Sequence, residues 1–123
     1  MIDFQNCLFR LKKVNDNSVS QEISPLFIAG EELIGCYKGL RDYVVFTNKR
    51  LITVNIQGMT GKKKDFTSLP YSKVQAFSVE TAGHFDMDSE LEIWFSGLGK
   101  VKLEFTGGSD IVKIGQIIGS FVL

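Results

Sequence analysis

The densest set of side chains with chemical potential is His84 followed by Asp86-Met87-Asp88-Ser89-Glu90. Carboxylates at alternate positions could offer oxygen ligands to a hard cation. A calcium loop of the EF-hand kind needs about 12 residues with a central glycine and a distal bidentate glutamate, and this segment has neither. A transition metal would want several His or Cys at ligand spacing, whereas His84 is the single histidine and Cys7 and Cys36 stand far apart. Asp and Ser arranged this way make local hydrogen bonds in turns between strands, and we read the segment as such a turn.

Nucleophilic catalysis finds less support. A serine or cysteine needs an activating base and a group to orient that base. No Gly-x-Ser-x-Gly elbow occurs, and Cys36 falls within a predicted strand, where a small buried thiol is usual. The expectation is a chain without catalytic residues, cofactor or bound metal.

The basic run Gly61-Lys62-Lys63-Lys64 could meet phosphates or lipid headgroups, each lysine contributing about 1 kcal/mol near an anionic surface. It lacks the order of a nucleotide-binding loop, and lysines also serve to guard an edge strand. Phe4, Leu8 and Leu11 fall at i, i+4 and i+7, which suits one face of a short helix. With Lys62, Lys63 and Lys64 they make up a second functional reading, a peripheral membrane or anionic-lipid contact. Lys plus Arg and Asp plus Glu number 14 each, so no bulk positive field exists to hold nucleic acid or a membrane. Lipid binding is therefore expected to be weak and salt-sensitive.

The elements that must position these residues follow from the periodicity. At 123 residues the chain has room for one domain, divided into an N-terminal helical extension (1–30), β-strands (31–106) and a closing helix (108–122). Val19, Ile23, Leu26 and Phe27 predict a helix over Ser18 to Ala29, capped by Asn17 or Ser18, bent at Pro25 and stopped by Gly30. From Glu31 the period changes to two, and runs at 31–38, 41–47, 50–57, 62–69, 73–81, 90–96 and 100–106 predict seven antiparallel strands. Leu91, Ile93 and Phe95 share a face with Val101, Leu103 and Phe105 only if the intervening loop is odd, as Gly97-Leu98-Gly99 is. Ser109 then caps a helix with Ile111, Ile114, Ile118 and Phe121 at helical spacing, in which Gly115 and Gly119 allow close approach to a sheet. Asp3, Arg10, Lys12 and Lys13 interrupt the first apolar residues, and no run reaches the roughly 20 apolar residues of a membrane span. A cytoplasmic protein with reduced cysteines is expected.

One hairpin carries apolar residues on both faces. If Asn48-Lys49 is a two-residue turn, Tyr43 and Val45 share a face with Ile52 and Val54, while Val44, Phe46 and Leu51 occupy the other. We assign the first face to the core and the second, Val44/Phe46/Leu51, to an oligomer interface. Its cover is either the N-terminal helix, through Ile23 and Phe27, or another subunit. Trp94, on the polar face of its strand, joins the interface candidates, because Trp is enriched at such surfaces.

The element order and several segments bear a family likeness. Thr47-Asn48-Lys49-Arg50-Leu51-Ile52, Leu69-Pro70-Tyr71, Phe77-Ser78-Val79-Glu80-Thr81-Ala82-Gly83 and Phe85-Asp86-Met87-Asp88-Ser89-Glu90-Leu91 resemble the signature of a bacterial pleckstrin-homology domain family. The resemblance runs from about Val19 to Leu123 and implies a mainly β, α+β fold: a seven-stranded antiparallel sandwich or open barrel closed by the C-terminal helix. It also implies a non-catalytic domain that forms ring-like homo-oligomers, with no established ligand. We expect a binding or scaffold module whose partner is itself, or else another protein. The chain departs from phosphoinositide-binding pleckstrin-homology domains in one respect. Their basic motif lies in a longer loop between the first two strands, whereas here that connection is Gly39-Leu40 between Lys38 and Arg41.

Overall fold

The computed structural model describes residues 8–123. In chain order they form β1 (Leu8–Val14), α1 (Asn17–Ile23), a 3-10 turn (Ser24–Leu26), β2 (Leu33–Lys38), β3 (Tyr43–Thr47) and β4 (Arg50–Gln57). There follow β5 (Lys63–Pro70), a second 3-10 turn (Tyr71–Lys73), β6 (Val74–Glu80), β7 (Ser89–Phe95), β8 (Gly99–Phe105) and α2 (Ile111–Val122). The strands lie in the order β5-β4-β3-β2-β1-β8-β7-β6. The seven strands expected from alternation are β2 to β8, and both helices are present. The architecture is the predicted β-rich sandwich with a closing C-terminal helix.

An eighth strand, β1, stands where the spacing of Leu8 and Leu11 suggested a helix. Arg10 has a positive φ of 56°, and the register with β8 shifts between Leu8↔Leu103 and Leu11↔Phe105. Three residues of β1 thus span two of β8, a bulge that turns both leucines to the same side. Both are buried in the core. Phe4, the first member of that supposed helical face, lies outside the described residues. β1 pairs antiparallel with β2 and parallel with β8, joining the two halves of the sheet. The parallel pairing is feasible because nearly the whole chain serves as its crossover.

The turn at Asn48-Lys49 sets the β3–β4 register as expected, with Val45 opposite Ile52 and Tyr43 opposite Val54. The assignment of the two faces is reversed. Val44, Phe46 and Leu51 are 0% exposed and pack in the main core with Tyr37, Leu103, Phe105 and Ile114. They are therefore not an interface: the second half of the sheet and α2 cover them. Tyr43, Val45, Ile52 and Val54 form the other cluster, covered by Val19 and Ile23 of α1, with Phe27 beside them. The N-terminal helix is the cover, but of the opposite face.

Helix ends also differ in detail. Asn15, not Asn17 or Ser18, serves the start of α1: its side chain accepts from the Asn17 backbone N–H at 2.9 Å and its carbonyl from the Ser18 hydroxyl at 2.7 Å. Pro25 sits in the first turn of the 3-10 segment, where its missing N–H costs no helical bond. At α2 the cap is Asp110, whose carboxylate accepts from the Lys113 N–H at 3.1 Å; Ser109 is one residue too early. The β7–β8 loop is Ser96-Gly97-Leu98, one residue earlier than expected and still odd, so the two apolar sets share the core face.

α2 lies against β6. A Cβ on Gly115 would approach Val79 Cγ2 to 2.9 Å, whereas one on Gly119 would meet Phe77 and Leu123 at ordinary contact distances. Gly119→Ala is therefore expected to stabilise the protein by about 0.5–1 kcal/mol, the usual helix gain. Gly115→Ala should instead destabilise it, because overpacking against the stiff, branched Val79 costs about 1–3 kcal/mol. Asp110→Ala should cost about 1 kcal/mol, and Ser109→Ala less than about 0.5 kcal/mol. Urea denaturation midpoints for the four variants check all of these.

Candidate functional site

The Thr-Asn-Lys-Arg turn is a structural lock. Arg50 grips the Glu31 carboxylate with two hydrogen bonds of 2.9 Å, from Nε and Nη2, and the Glu31 side chain is 0% exposed. Thr47 Oγ1 donates to Glu31 at 2.7 Å and the Ile28 N–H at 3.1 Å. Asn48 adds bonds to Glu32 N–H and the Gly30 carbonyl. Burial alone would raise the Glu31 pKa, but the hydrogen bonds from Arg50, Thr47 and Ile28 and the guanidinium charge hold it below the ordinary value. Nothing local in the sequence announces this pairing.

α1 is pinned in the same fashion. Glu22 accepts from the Tyr43 hydroxyl at 2.7 Å and pairs with Lys64. Burial acts to raise the Glu22 pKa and is outweighed by the Lys64 and Tyr43 hydrogen bonds and the Lys64 charge. Lys64 is thus committed to an internal ion pair, which removes it from the expected anion contact. Lys62 and Lys63 remain exposed. Of the apolar members of the membrane reading, Leu8 and Leu11 are core residues, and Phe4 lies outside the described residues.

The turns beside those lysines carry a feature that alternation did not flag. Leu40 in the β2–β3 turn is 90% exposed, and Met59 in the β4–β5 turn is fully exposed. Arg41 ties the two turns together by donating to the Gly58 carbonyl at 2.8 Å. An apolar residue beside a turn glycine, in Gly39-Leu40 and Gly58-Met59, was the legible signal.

The segment at His84–Glu90 behaves as a turn. The Asp88 N–H donates to Asp86 Oδ1 at 3.0 Å and the Gly83 N–H to the Asp86 carbonyl at 2.6 Å. Ser89 is buried at the start of β7, and Glu90 meets Lys102 at 3.2 Å. Among the described residues no group of three His, Cys, Asp or Glu side chains is placed to hold a metal ion. Burial raises the Glu104 pKa, aided by the charges of Asp88, Glu90 and Asp86. Cys36 is buried in β2, its thiol facing the Val14 and Asn15 carbonyls; burial and then the Asp16 charge push its pKa up to about 11. It is a neutral core thiol at neutral pH. Cys7 lies outside the described residues.

Trp94 stands where the sequence put it, on the outer face of β7, half-buried in a row with Ala76 and Lys100. The adjacent row holds Glu92 and Lys102, and Lys100 reaches diagonally to within 3.9 Å of Glu92. β6, which pairs with β7 alone, forms one edge of the sheet; β5 forms the other. No helix among the described residues is long and apolar enough to cross a membrane.

Two bent halves of sheet with a terminal helix packed into their core define a pleckstrin-homology-like domain. The family model for the bacterial PH domain matches residues 4–122, and the chain belongs to that family. It is 45% identical over 105 residues to Uncharacterized protein YjqA of Bacillus subtilis (strain 168), covering 84% of each chain. Uncharacterized protein YozO of the same organism is 30% identical over 105 residues, with 85% of this chain and 90% of that protein covered. Among solved structures, a DUF1696 family protein with a pleckstrin-homology domain from Shewanella loihica PV-4 superposes with a TM-score of 0.81 at 43% identity. That match covers 93% of this chain and 98% of the other. A pleckstrin homology domain from Shewanella amazonensis SB2B gives a TM-score of 0.69 at 44% identity, over 89% and 90% of the two chains.

The Glu31–Arg50 pair has a measurable pH consequence. A carboxylate whose pKa is depressed in the folded state stabilises the protein above its unfolded pKa of about 4.3, and the contribution is lost as pH falls through the lower folded value. Glu31 and Glu22 act in the same direction, so urea midpoints should fall on acidification below about pH 4.5. Arg50→Met should cost about 3–5 kcal/mol at neutral pH, since it leaves a buried carboxylate unpaired. Adding Glu31→Gln to it should reduce the acid limb to the part that Glu22 contributes.

Proposed function

We propose that this chain is a non-catalytic binding module that assembles with copies of itself through the open edge of β6. The supporting observation is that this edge is unguarded. β6 runs Val74-Gln75-Ala76-Phe77-Ser78-Val79-Glu80 without a lysine, arginine or proline, and a bulge marks only its start, between Val74 and Ala76. Exposed edge strands otherwise carry such features against unwanted pairing, and β5 does, with Lys63, Lys64 and Pro70. Phe77 and Val79 face α2, while Gln75, Ala76 and Ser78 are exposed. Trp94 lies one strand in, next to Ala76, as an aromatic anchor for whatever strand is added. Such a contact is made by backbone hydrogen bonds along the edge, with side-chain packing on Trp94 giving selectivity. A head-to-tail repetition of it closes as a ring if the rotation allows. The test is light scattering on the wild type, Ser78→Lys and Trp94→Ala. An assembly that becomes smaller in both variants, with unchanged circular dichroism, is expected; an unchanged mass rules out this edge.

A second reading, contact with an anionic membrane, rests on the exposed Leu40 and Met59. Two apolar tips tied together and flanked by exposed Lys38, Arg41, Lys62 and Lys63 suit shallow insertion beside anionic headgroups. Sedimentation with phosphatidylserine vesicles should be detectable at low salt and fade by about 0.5 M, where the Debye length has shrunk to a few ångströms. Leu40→Asp with Met59→Asp should abolish it. Binding that is indifferent to these substitutions excludes the tips as the contact.

A further inference from the structure

A cleft of about 460 Å³ opens between β1, β2 and the N-terminal end of α2. That volume suits a small ligand. Its floor is apolar, formed by Ile34, Ile117 and the Tyr37 ring. Lys12, Lys13 and Lys113 also line it, with Lys13 on the Tyr37 face of β1 and Lys12, the residue before it, on the opposite face. None of these lysines has an ion-pair partner among the described residues. Lys13 Nζ lies 5.4 Å from the centre of the Tyr37 ring and close beside Gly35. The one carboxylate of the lining, Asp110, is engaged in capping α2.

Tyr37 makes this more than a helix end with lysines near it. The residue is only 6% exposed, its ring packed edge-on against Phe46 and Phe105 at 5.8 and 5.1 Å between centroids. Its hydroxyl has no hydrogen-bond partner among the described residues, yet it is not sealed in the core as the Tyr71 hydroxyl is. It opens to the cleft that the residue lines. A phenol donor held in a nearly buried position lacks an acceptor that a ligand would provide. Burial first, and then the negative charge of Asp110, raise its pKa, so it stays a donor at neutral pH.

We propose that this cleft binds a small amphiphilic anion, a phosphate monoester carrying an apolar group. Lys13 and Lys113 against Asp110 leave a positive surplus, and the Tyr37 hydroxyl adds a neutral donor; together they suit a group with several acceptor oxygens, as a phosphate monoester has. The Tyr37 hydroxyl and the ammonium groups of Lys13 and Lys113 supply the donors for the phosphate, since the Ile111 and Lys113 N–H groups of α2 are already engaged by Ser109 and Asp110. The floor of Ile34, Ile117 and the Tyr37 ring takes the organic group. Free metabolites and the lipid phosphatidic acid share this chemistry.

The probe is phenyl phosphate, titrated at constant ionic strength into the full chain and followed by amide nitrogen–proton NMR spectra. Saturable shifts centred on the Gly107, Gly108, Asp110 and Lys113 amides are expected. Tyr37→Phe keeps the ring packing and should weaken binding about ten-fold, the worth of one hydrogen bond to a charged group. Lys13→Gln with Lys113→Gln should abolish it, whereas Lys62→Gln with Lys63→Gln should leave it unchanged. Inorganic phosphate should bind about ten-fold more weakly for want of the apolar contact. Shifts scattered over the surface, or equal titration of the wild type and Tyr37→Phe, would overturn the assignment, and equal affinity for inorganic phosphate would overturn its amphiphilic part. Tyr37-dependent sedimentation with phosphatidic acid but not phosphatidylserine vesicles would identify the lipid as the source. Binding of phenyl phosphate without such sedimentation would identify a soluble ester.

Discussion

A carboxylate with no exposure to water, such as that of Glu31, is tolerated only where a counter-charge and further donors enclose it. Arg50, Thr47 and the Ile28 N–H do so, and they come from the β3–β4 turn and from the loop that follows α1. The pair therefore fastens that loop to the hairpin. Arg50 extends the clamp by donating to the Leu26 carbonyl and to Ser68 on β5. With the loop held there, and with Glu22 bound to Tyr43 and Lys64, α1 has one place to lie. It covers Tyr43, Val45, Ile52 and Val54 and so leaves the opposite face of the same strands to the interior of the sandwich.

The consequence is a half-sheet whose two faces are both closed from within the chain. β1 contributes by bridging β2 and β8, and its bulge at Arg10 keeps Leu8 and Leu11 both turned inward. α2 completes the main core through Ile111, Ile114 and Ile118. On that half of the sheet, surfaces left for partners are edges, ends and seams instead of faces. The β6 edge with Trp94 beside it, the Leu40 and Met59 tips and the lysine-rimmed cleft are of these three kinds. Each is small next to the core, and each offers a different physical handle: unpaired backbone, apolar tips beside charge, and concentrated positive charge around a buried donor.

The place of this chain among bacterial PH domains accords with that arrangement. The Thr47–Arg50 motif, which reads as a family mark in the sequence, has its explanation in the lock around Glu31 and not in any exposed chemistry. Residues characteristic of a family are as readily those that hold an element in place as those that meet a ligand.

Much of the fold was legible locally. Period-two alternation located β2 to β8, the Asn48-Lys49 turn set the β3–β4 register, and the odd β7–β8 loop placed Leu91, Ile93 and Phe95 beside Val101, Leu103 and Phe105, because side-chain direction along a strand depends only on neighbours in sequence. The burial of Cys36 and the turn at Asp86–Asp88 were legible for similar reasons. β1 was not, since a bulge puts its two leucines at a spacing that imitates a helix. Nor was the Glu31–Arg50 pair, whose partners stand 19 residues apart with no periodic relation. The direction of the β3–β4 faces was beyond sequence as well. Val44, Phe46 and Leu51 are as apolar as Tyr43, Val45, Ile52 and Val54, so burying either set is comparably favourable. Only the tertiary structure could choose between them, by the position that the Glu31 and Glu22 contacts impose on α1.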